Sequence, residues 1–352
     1  MPDWSASMQQ TFEYYIVDPG TWKDTKRITT VLACSISRDE SAETLGSATI
    51  DIGEPVGECY IRVYLKTIQN GIEERHPLGT FIVQTPSSNL NGSVEEVSMD
   101  AYTPLLELKE NNPPIGYSIL KDENIMERAY QIVRENSRAP VVKAVSSEKL
   151  LYDFIADPSE KWISFVTDLI ANASFKFDLD ELGRILFAPK QNVAALQPVW
   201  TYTDDNSSIV EPAMTLDHDL YGVPNVVEVI FSSGPVNHRA VVENTDANSP
   251  TSISARGRRI TYRVTNPELT GIPTEGQIQK YAEQLLKDLS SIEYTITYTH
   301  AYCPVRVGDC VRLNYISAGL IDVKAKVISQ DIECTLGCPV TETAVFTKRL
   351  WR

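Results

Sequence analysis

Residues 12 to 110 alternate between apolar and polar positions, or run apolar for five to nine residues, between Gly, Pro and Asn turns. Both patterns are typical of β-strands. We therefore predict an antiparallel β region with the strands Phe12–Val17, Ile28–Ser37, Ser47–Ile52, Tyr60–Thr67, Thr80–Gln84 and Val94–Ala101. The pairs Asn70-Gly71 and Asn91-Gly92 lie between such runs, and each pair predicts a hairpin turn.

Helical spacing of apolar residues follows this region. Asp122 can cap a segment whose apolar stripe is Ile125, Met126, Ala129, Tyr130, Ile132 and Val133. The sequence Asp157–Glu160 is a second helix start signal, because it combines an oxygen cap, a Pro at the first helical position and an acid three residues after the cap. Next, Gly183 marks the turn of a predicted hairpin between Phe177 and Ile185. Residues 111–195 are thus predicted to be a small inserted α/β module.

The chain returns to β character at Trp200, and the β-branched run Pro224–Gly234 predicts a strand. Residues 235–259 are polar, so we predict an exposed loop there. A helix over 274–289 is predicted from its apolar stripe and from Thr274 with Gln277, which can form a capping box. A strand over Glu293–His300 follows.

The last fifty residues predict a small β-barrel of three strands that are separated by Gly-containing turns, one of them Val307-Gly308-Asp309. The segment from Lys326 has the same layout as the one from Phe81: a strand, a long turn-forming stretch with Gly, and a strand. This similarity indicates either two related barrels or simply how common long hairpins are.

Composition narrows the classes of function. An apolar fraction of 42% is ordinary for a globular protein, no apolar run approaches a membrane span, and the N-terminus lacks the features of a signal peptide. We therefore expect folding in a cytoplasm, in agreement with sparse use of six Cys. The net charge of −15 disfavours a protein that grips DNA by neutralising phosphates. It indicates an ordinary acidic surface or, alternatively, an acidic channel wall past which DNA slides.

Four of the six cysteines fall in the C-terminal region, at Cys303, Cys310, Cys334 and Cys338. Their spacings differ from those of standard zinc sites, where two residues usually separate paired ligands. Cys334 shares a strand face with Ile332 and Leu336, which favours a small buried side chain. Buried thiols are the favoured interpretation, and a zinc or iron–sulfur site or a disulfide are the alternatives.

Catalytic patterns are weak. The four His lie in separate segments, and only His218 has close acids, Asp217 and Asp219, which a polar loop explains as well as a general base does. No nucleophile elbow, metalloprotease helix or phosphate loop is present in the sequence. The basic turn at Arg256–Arg259 could contact phosphate, but a solvated loop or a salt bridge between subunits is favoured.

The order of the motifs resembles the hub proteins of bacteriophage tails and baseplates, a group that includes the T4 baseplate hub, the PBSX late-tail protein XkdQ and the front end of VgrG spikes. The resemblance covers about residues 12 to 350. It rests on an early Gly-Thr-Phe-Ile-Val strand, then Asp-Ala-Tyr before Leu105 and Leu106, and a hairpin with an Asp-x-x-Gly turn. After these come an Asn-Val-Val-Glu-Val strand, the helix YAEQLLKDLSS and the Val-Gly-Asp turn.

The resemblance implies a mainly β fold with two tail-tube-like antiparallel β-barrels and a small helical subdomain. The first barrel would be residues 1–110, completed by about 196–240; the insert 111–195 would lie outside the ring, and the second barrel, with one helix, would be 241–352. Three subunits would imitate a six-fold ring that joins a hexameric tail tube or distal tail protein to a three-fold spike or tip, among other baseplate proteins. DNA would be a transient cargo.

The same resemblance implies a structural, non-enzymatic role without a cofactor, in a virion tail or baseplate assembled in the host cytoplasm. Many relatives carry a lysozyme, peptidase or carbohydrate-binding domain after the barrels. This sequence stops at Arg352, directly after the last predicted strand, so no such domain is expected. Two other functions remain as alternatives: a receptor- or glycan-binding module of a tail tip and, less favoured, a cell-wall hydrolase.

Overall fold

The computed structural model describes residues 2–53, 56–91, 94–191, 193–233, 235–267 and 273–349. Twenty strands account for most of the regular structure in these ranges. They are β1 (Gln9–Val17), β2 (Asp24–Ile28), β3 (Val31–Asp39), β4 (Gly46–Ile52), β5 (Tyr60–Gln69), β6 (Ile72–Asn91), β7 (Val94–Tyr102), β8 (Ser118–Ile119), β9 (Phe154–Ile155), β10 (Phe175–Leu179), β11 (Ile185–Pro189), β12 (Trp200–Thr203), β13 (Val210–His218), β14 (Val226–Ser233), β15 (Val236–Glu243), β16 (Thr261–Thr265), β17 (Ser291–Ala301), β18 (Cys310–Tyr315), β19 (Leu320–Glu333) and β20 (Pro339–Arg349).

Five α-helices and two short 3₁₀ helices accompany the strands within the described ranges. The α-helices are α1 (Leu106–Glu110), α2 (Ile125–Asn136), α3 (Trp162–Ala171), α4 (Ile253–Arg256) and α5 (Glu275–Leu289), and the 3₁₀ helices are Val193–Ala195 and Ile316–Ala318. Of the helices described, none is long and apolar enough to cross a membrane. The prediction of a mainly β protein is confirmed.

One large sheet contains thirteen strands, eleven of them in the order β13-β17-β20-β19-β3-β4-β7-β6-β5-β1-β2. The remaining two are β18, which pairs with β19, and β12, which pairs with β18 in parallel. The predicted pair of barrels is not confirmed. Strands assigned to different barrels belong to this single sheet, because β3 pairs with β19 from Ser35↔Glu333 to Asp39↔Ser329, and the described strand order does not close on itself.

The N-terminal hairpins follow the predicted turns. Asn70 and Gly71 have φ angles of 52° and 77° and connect β5 to β6, as an Asn-Gly turn requires. In the second pair, Asn91 belongs to β6, but Gly92 lies outside the described residues. Strand β6 is far longer than the predicted Thr80–Gln84. Pro77 lies where the register with β5 shifts, so the ladder tolerates its missing N–H.

The predicted strand Ile28–Ser37 is wrong as a single element. Ile28 ends β2, which pairs with β1, whereas β3 begins at Val31 and pairs with β4. Between them the Thr30 carbonyl accepts the Gly53 N–H over 2.9 Å, so the chain changes partners at this point.

Contacts divide the chain into two compact units, Met1–Ala213 with Tyr298–Thr343, and Met214–Thr297 with Ala344–Arg352. The first unit contains the helical module. Its helices α2 and α3 and the hairpin β10–β11 share one apolar core. Members of this core include Ile125, Met126, Phe165, Val166, Leu169 and Phe177.

The two helix starts predicted for this module are shifted. Asp122 has a φ of 67°, which is outside the helical region, and Asn124 caps α2 instead by accepting the Glu127 N–H over 2.9 Å. The second start signal, Asp157–Glu160, forms a turn, and α3 begins at Trp162.

Asn112 explains the second shift. Its side-chain amide donates to the carbonyls of Ser159 and Glu160, over 3.2 and 2.7 Å, and so occupies acceptors that a helical turn would use. The Glu160 carboxylate closes the turn by accepting the Asp157 N–H over 3.0 Å. Lys161 is then extended, and the helix starts one residue later.

The second unit has a three-stranded sheet in the order β15-β14-β16, and α5 packs on one face of it. Val229, Ala240 and Ile278 are among the residues of this core. The capping box between Thr274 and Gln277 is confirmed. The predicted loop 235–259 is wrong over its first third, because Val236–Glu243 forms β15 and pairs antiparallel with β14.

Candidate functional site

The Val-Gly-Asp turn is fixed by backbone bonds. Gly308 has a φ of 95°, which residues with a Cβ rarely adopt. Its N–H donates to the Val327 carbonyl over 2.8 Å, and the Val327 N–H donates to the Asp309 carbonyl over 3.0 Å. The Asp309 carboxylate accepts the Arg306 N–H over 2.9 Å. The turn is thereby held on β19, with the Arg306 side chain free to reach the hairpin β10–β11.

Arg306 binds that hairpin through several groups. Its Nε lies 2.6 Å from Glu181 Oε1, its Nη2 donates to the Leu179 carbonyl, and the Asp178 carboxylate lies 3.8 Å away. Burial on its own lowers the pKa of Arg306, but the surrounding carboxylates, Glu181 first, raise it above its ordinary value. The guanidinium therefore stays charged and links the C-terminal segment to the helical module.

The same hairpin turn is held from the N-terminal strands. Arg62 and the Trp22 indole both donate to the Leu182 carbonyl, over 3.0 and 2.7 Å. Gly183, with a φ of 74°, packs so closely that a Cβ would lie 2.7 Å from the Cβ of Thr80. The turn 180–183 is thus attached both to the N-terminal strands and to the Val-Gly-Asp turn near the C-terminus. We call the contacts that Arg306, Arg62, Trp22 and Gly183 make at this hairpin the hairpin clamp.

A cleft lies beside the hairpin clamp. It contains two cavities of about 70 and about 370 Å³, which share Glu40, Lys176, Asp178, Arg306 and Val307 in their walls. Lys326 donates to one oxygen of Glu40, and Lys176 lies 3.3 Å from the other. Burial raises the pKa of Glu40, but the two lysines outweigh it, and the net shift is downward. Glu40 and the two lysines in the cleft walls thus form ion pairs with one another.

A second polar group is fully buried around Glu342. The Tyr298 hydroxyl donates to one carboxylate oxygen, and Gln330 donates to the other over 2.8 Å. His300 Nε2 lies 3.4 Å from that second oxygen, and neither His300 nor Glu342 has an exposed side chain. Burial by itself lowers the pKa of His300, but its bonds to Cys303 and Glu342 raise the pKa to about 10. The group is an internal charge network.

The order Cys303, His300, Glu342 resembles a nucleophilic triad, but the geometry is different. His300 Nδ1 lies 2.8 Å from the Ala301 carbonyl, which can only accept, so this nitrogen carries a hydrogen and cannot take a proton from Cys303. The Cys303 sulfur is 3.9 Å from the same nitrogen and is itself buried. In this arrangement His300 Nδ1 does not act as a base toward Cys303.

The four cysteines singled out as metal ligands are all buried free thiols. Cys303 Sγ lies 3.4 Å from the Tyr202 hydroxyl, Cys310 Sγ donates to the carbonyl of the next residue, and Cys334 and Cys338 flank the turn after β19. Across the described ranges, no three His, Cys, Asp or Glu side chains are grouped so that they could hold a metal ion.

The predicted basic turn bonds within the chain. Arg256 donates to the carbonyls of Val223 and Leu220, over 2.7 and 2.9 Å, and Arg259 pairs with Glu243. Near the predicted acid pair, Asp219 accepts the Tyr221 N–H over 2.7 Å, and the side chain of His218 lies outside the described set.

Arg306, Glu181 and Glu342 were not predicted from the sequence. The Val-Gly-Asp motif did mark the turn beside Arg306 and was the one signal close to the hairpin clamp. Nothing in the spacing of Tyr298, His300 and Glu342 indicated that they meet, because their contact depends on β17 and β20 being neighbours in the sheet.

No protein-family model and no curated protein matches the chain in sequence. Its fold, in contrast, is similar to those of several solved structures. A tail protein from Neisseria meningitidis MC58 has a TM-score of 0.59 at 15% identity, with 97% of this chain and 98% of that chain covered. The 43 kDa tail protein of prophage MuSo2 from Shewanella oneidensis has a TM-score of 0.60 at 11% identity, with coverage of 96% and 98%.

The half-lidded PdpA–VgrG complex of Francisella is also similar, with a TM-score of 0.55 at 8% identity. The alignment covers 98% of this chain but 58% of that one. The resemblance inferred from the motif order is confirmed at the level of the fold, and the chain shares its fold with these tail proteins and with a chain of the PdpA–VgrG complex.

Proposed function

We propose that this protein is the structural hub of a phage tail or of a tail-like contractile particle. One observation carries the proposal. Two tail proteins match 97% and 96% of the chain and are each themselves 98% covered, so the similarity extends over the whole architecture and is not confined to one common domain.

The hub subunit forms a homotrimer that imitates a six-fold ring and encloses a channel for DNA. This follows the family resemblance, and the topology supports it, since β2 ends the large sheet and has no second partner strand among the described residues. Ring formation between identical subunits can cover such edges and makes a channel without further components.

The ring joins the tail tube or distal tail protein to the central spike or tip, alongside other baseplate proteins. The similarity to a chain of the PdpA–VgrG complex supports a partner on the spike side. We place the protein in the virion tail or baseplate, after assembly in the host cytoplasm.

A structural, non-enzymatic role agrees with how the polar groups are used. The charges of the hairpin clamp are paired with one another, as are those around Glu342, and each set ties together strands that are distant in sequence. Such paired networks stabilise one arrangement of the backbone.

A glycan-binding module of a tail tip is the rival function. Such a module would present several Trp and Tyr together on one surface beside carboxylates. Trp4 and Trp162 are buried, Trp22 and Trp200 are half-buried, and Trp351 lies outside the described residues. This distribution favours the hub.

Native mass spectrometry of the purified protein, followed by purification of particles from producing cells, tests the proposal. We expect a complex of three 39.3 kDa chains and co-purification with tail-tube and spike proteins. A chain that stays monomeric at assay concentrations and never enters particles, but binds a glycan, would show that the rival is right.

A further inference from the structure

Two thiols from opposite ends of the sequence face each other in the large sheet. The pairing of β3 with β19 includes Ile36↔Ile332 and Ser35↔Glu333, so the next opposed residues are Cys34 and Cys334. The Cys334 N–H donates to the Cys34 carbonyl over 3.0 Å, which shows that the ladder continues to this pair. Directly opposed residues of an antiparallel pair project from the same face of the sheet.

The surroundings keep the two sulfur atoms together. Cys34 is 4% exposed and Cys334 is 9% exposed. Burial first, and then the neighbouring Cys34 and Cys334 thiols, raise the pKa of the Tyr14 hydroxyl, so the three groups lie close together. The bond from Cys334 N–H makes this a hydrogen-bonded pair, whose Cα atoms are about 5.5 Å apart, and a disulfide spans about 4.4–6.8 Å between Cα atoms. The Cβ atoms must approach to about 3.5–4.5 Å for the bond to form.

We infer that Cys34 and Cys334 are a redox site, which closes to a disulfide on contact with a low-molecular-weight disulfide such as oxidised glutathione. One cysteine thiolate attacks a sulfur of the oxidant and releases one small thiol. The second cysteine thiolate then attacks the mixed disulfide and releases the other. The two protein thiols lose two electrons and two protons, and the oxidant becomes two thiols.

The site is built to react slowly and selectively. The hydrogen bond to Cys34 and burial raise the pKa of Cys334, so little thiolate exists in the closed structure. Cys334 directly precedes a turn in which Leu336 is 90% exposed. Local opening of this turn would expose the thiol. The product joins two strands whose cysteines are far apart in sequence, so it would restrict the unfolded chain strongly.

Cys338 is the competing partner, because it closes the same turn and lies near Cys334. A Cys334–Cys338 bond would span a few residues only and would leave β3 unattached. Identification of the bonded pair therefore decides the inference.

The test incubates the full chain with oxidised glutathione, blocks free thiols, and measures intact mass, non-reducing peptide maps and melting temperature. We expect the loss of two hydrogens, a cross-linked peptide that contains Cys34 and Cys334, and a rise in melting temperature on the order of 5 °C that dithiothreitol reverses. Six free thiols, a glutathione adduct alone, or a Cys334–Cys338 bond would overturn the inference.

Variants sharpen the result. Cys34→Ser should abolish both the cross-linked peptide and the rise in melting temperature. Cys310→Ser removes another buried thiol, which donates to the adjacent Val311 carbonyl, and should leave both unchanged. The peptide map of the unaltered protein decides the question even where a variant fails to fold.

Discussion

Buried polar contacts of single residues restrict how this fold can pack. Glu342 accepts from Tyr298 and Gln330 and lies beside His300, and all four side chains are buried. A buried carboxylate that loses its donors is strongly destabilising, so each contact restricts the packing around it. The sequence showed His300 only as an isolated histidine, because no local pattern indicates which strand will supply its partner.

The contacts of His300 with Cys303 and Glu342 make stability depend on pH. The pKa of His300 is about 10 in the folded chain, against about 6.5 for an unperturbed histidine. The folded state therefore binds this proton more tightly, and the resulting stabilisation is complete below about pH 6.5 and is lost as the pH rises through about 10. Urea titrations should show the free energy of unfolding falling by up to about 1.4 kcal/mol per pH unit in this window. His300→Gln should be less stable at pH 7 and give a flatter profile; equal slopes would contradict the assignment.

Gly183 tests the close packing of the hairpin clamp. Gly183→Ala combines an unfavourable φ with a contact of 2.7 Å to Thr80, whereas Gly71→Ala has a similar φ of 77° and nothing within 4 Å. We expect a cost of about 1 kcal/mol for Gly71→Ala and about 3 kcal/mol for Gly183→Ala in urea unfolding. Equal costs would mean that the backbone angle alone, and not the contact with Thr80, requires glycine.

At the scale of elements, local sequence patterns predicted which helices and strands exist better than they predicted the residues at which these elements begin and end. The capping box of α5 and the Asn-Gly hairpin of β5 and β6 are confirmed because their determinants lie within a few residues. The start signal at Asp157 is wrong because Asn112, distant in sequence, binds the carbonyls of the turn. β15 was missed since its polar residues predict a loop, and only pairing with β14 makes it a strand.

The hairpin clamp makes a prediction at this scale. A double-mutant cycle with Arg306→Met and Glu181→Gln should give a coupling energy of about 1 kcal/mol, reduced by the one-third exposure of Arg306. Hydrogen exchange of β10 amides should become faster in both single variants, because the hairpin loses its attachment. The more exposed pair Arg259 and Glu243 is the matched control, with an expected coupling of about 0–0.5 kcal/mol. Equal coupling in the two cycles would show that Arg306 does not hold the hairpin.

At the scale of the molecule, the order of the motifs indicated the fold, but the sequence did not indicate which distant strands pair. The ordered set of weak motifs indicated the fold that the tail proteins share. The contact between β3 and β19 was not predictable, because it joins residues 290 to 298 positions apart and leaves no periodic signal. Two barrels were expected from the family resemblance, with which the two similar hairpin layouts agreed. They are not confirmed, because strands assigned to different barrels belong to one continuous sheet.

Charge is distributed unevenly along the same chain. The second unit, residues 214–297 and 344–352, contains ten acidic residues (Asp and Glu together) and ten basic residues (Lys and Arg together). Its formal charges therefore cancel, and the first unit carries the whole net charge of −15. A charge of this size repels phosphate within a Debye length of about 8 Å at physiological ionic strength. An acidic channel wall would thus let DNA pass without holding it.

The purified protein should therefore fail to bind DNA. Fluorescence anisotropy of a labelled duplex should stay constant up to about 0.1 mM protein, which is the weak end of ordinary non-specific affinity. The result should be the same from about 50 to 200 mM salt, since no phosphate contact releases counterions. A lysine-rich peptide serves as the control that the assay detects phosphate neutralisation. Binding that weakens steeply with salt would mean that basic residues line the DNA path, and the acidic-wall hypothesis would then be wrong even if the trimeric hub is right.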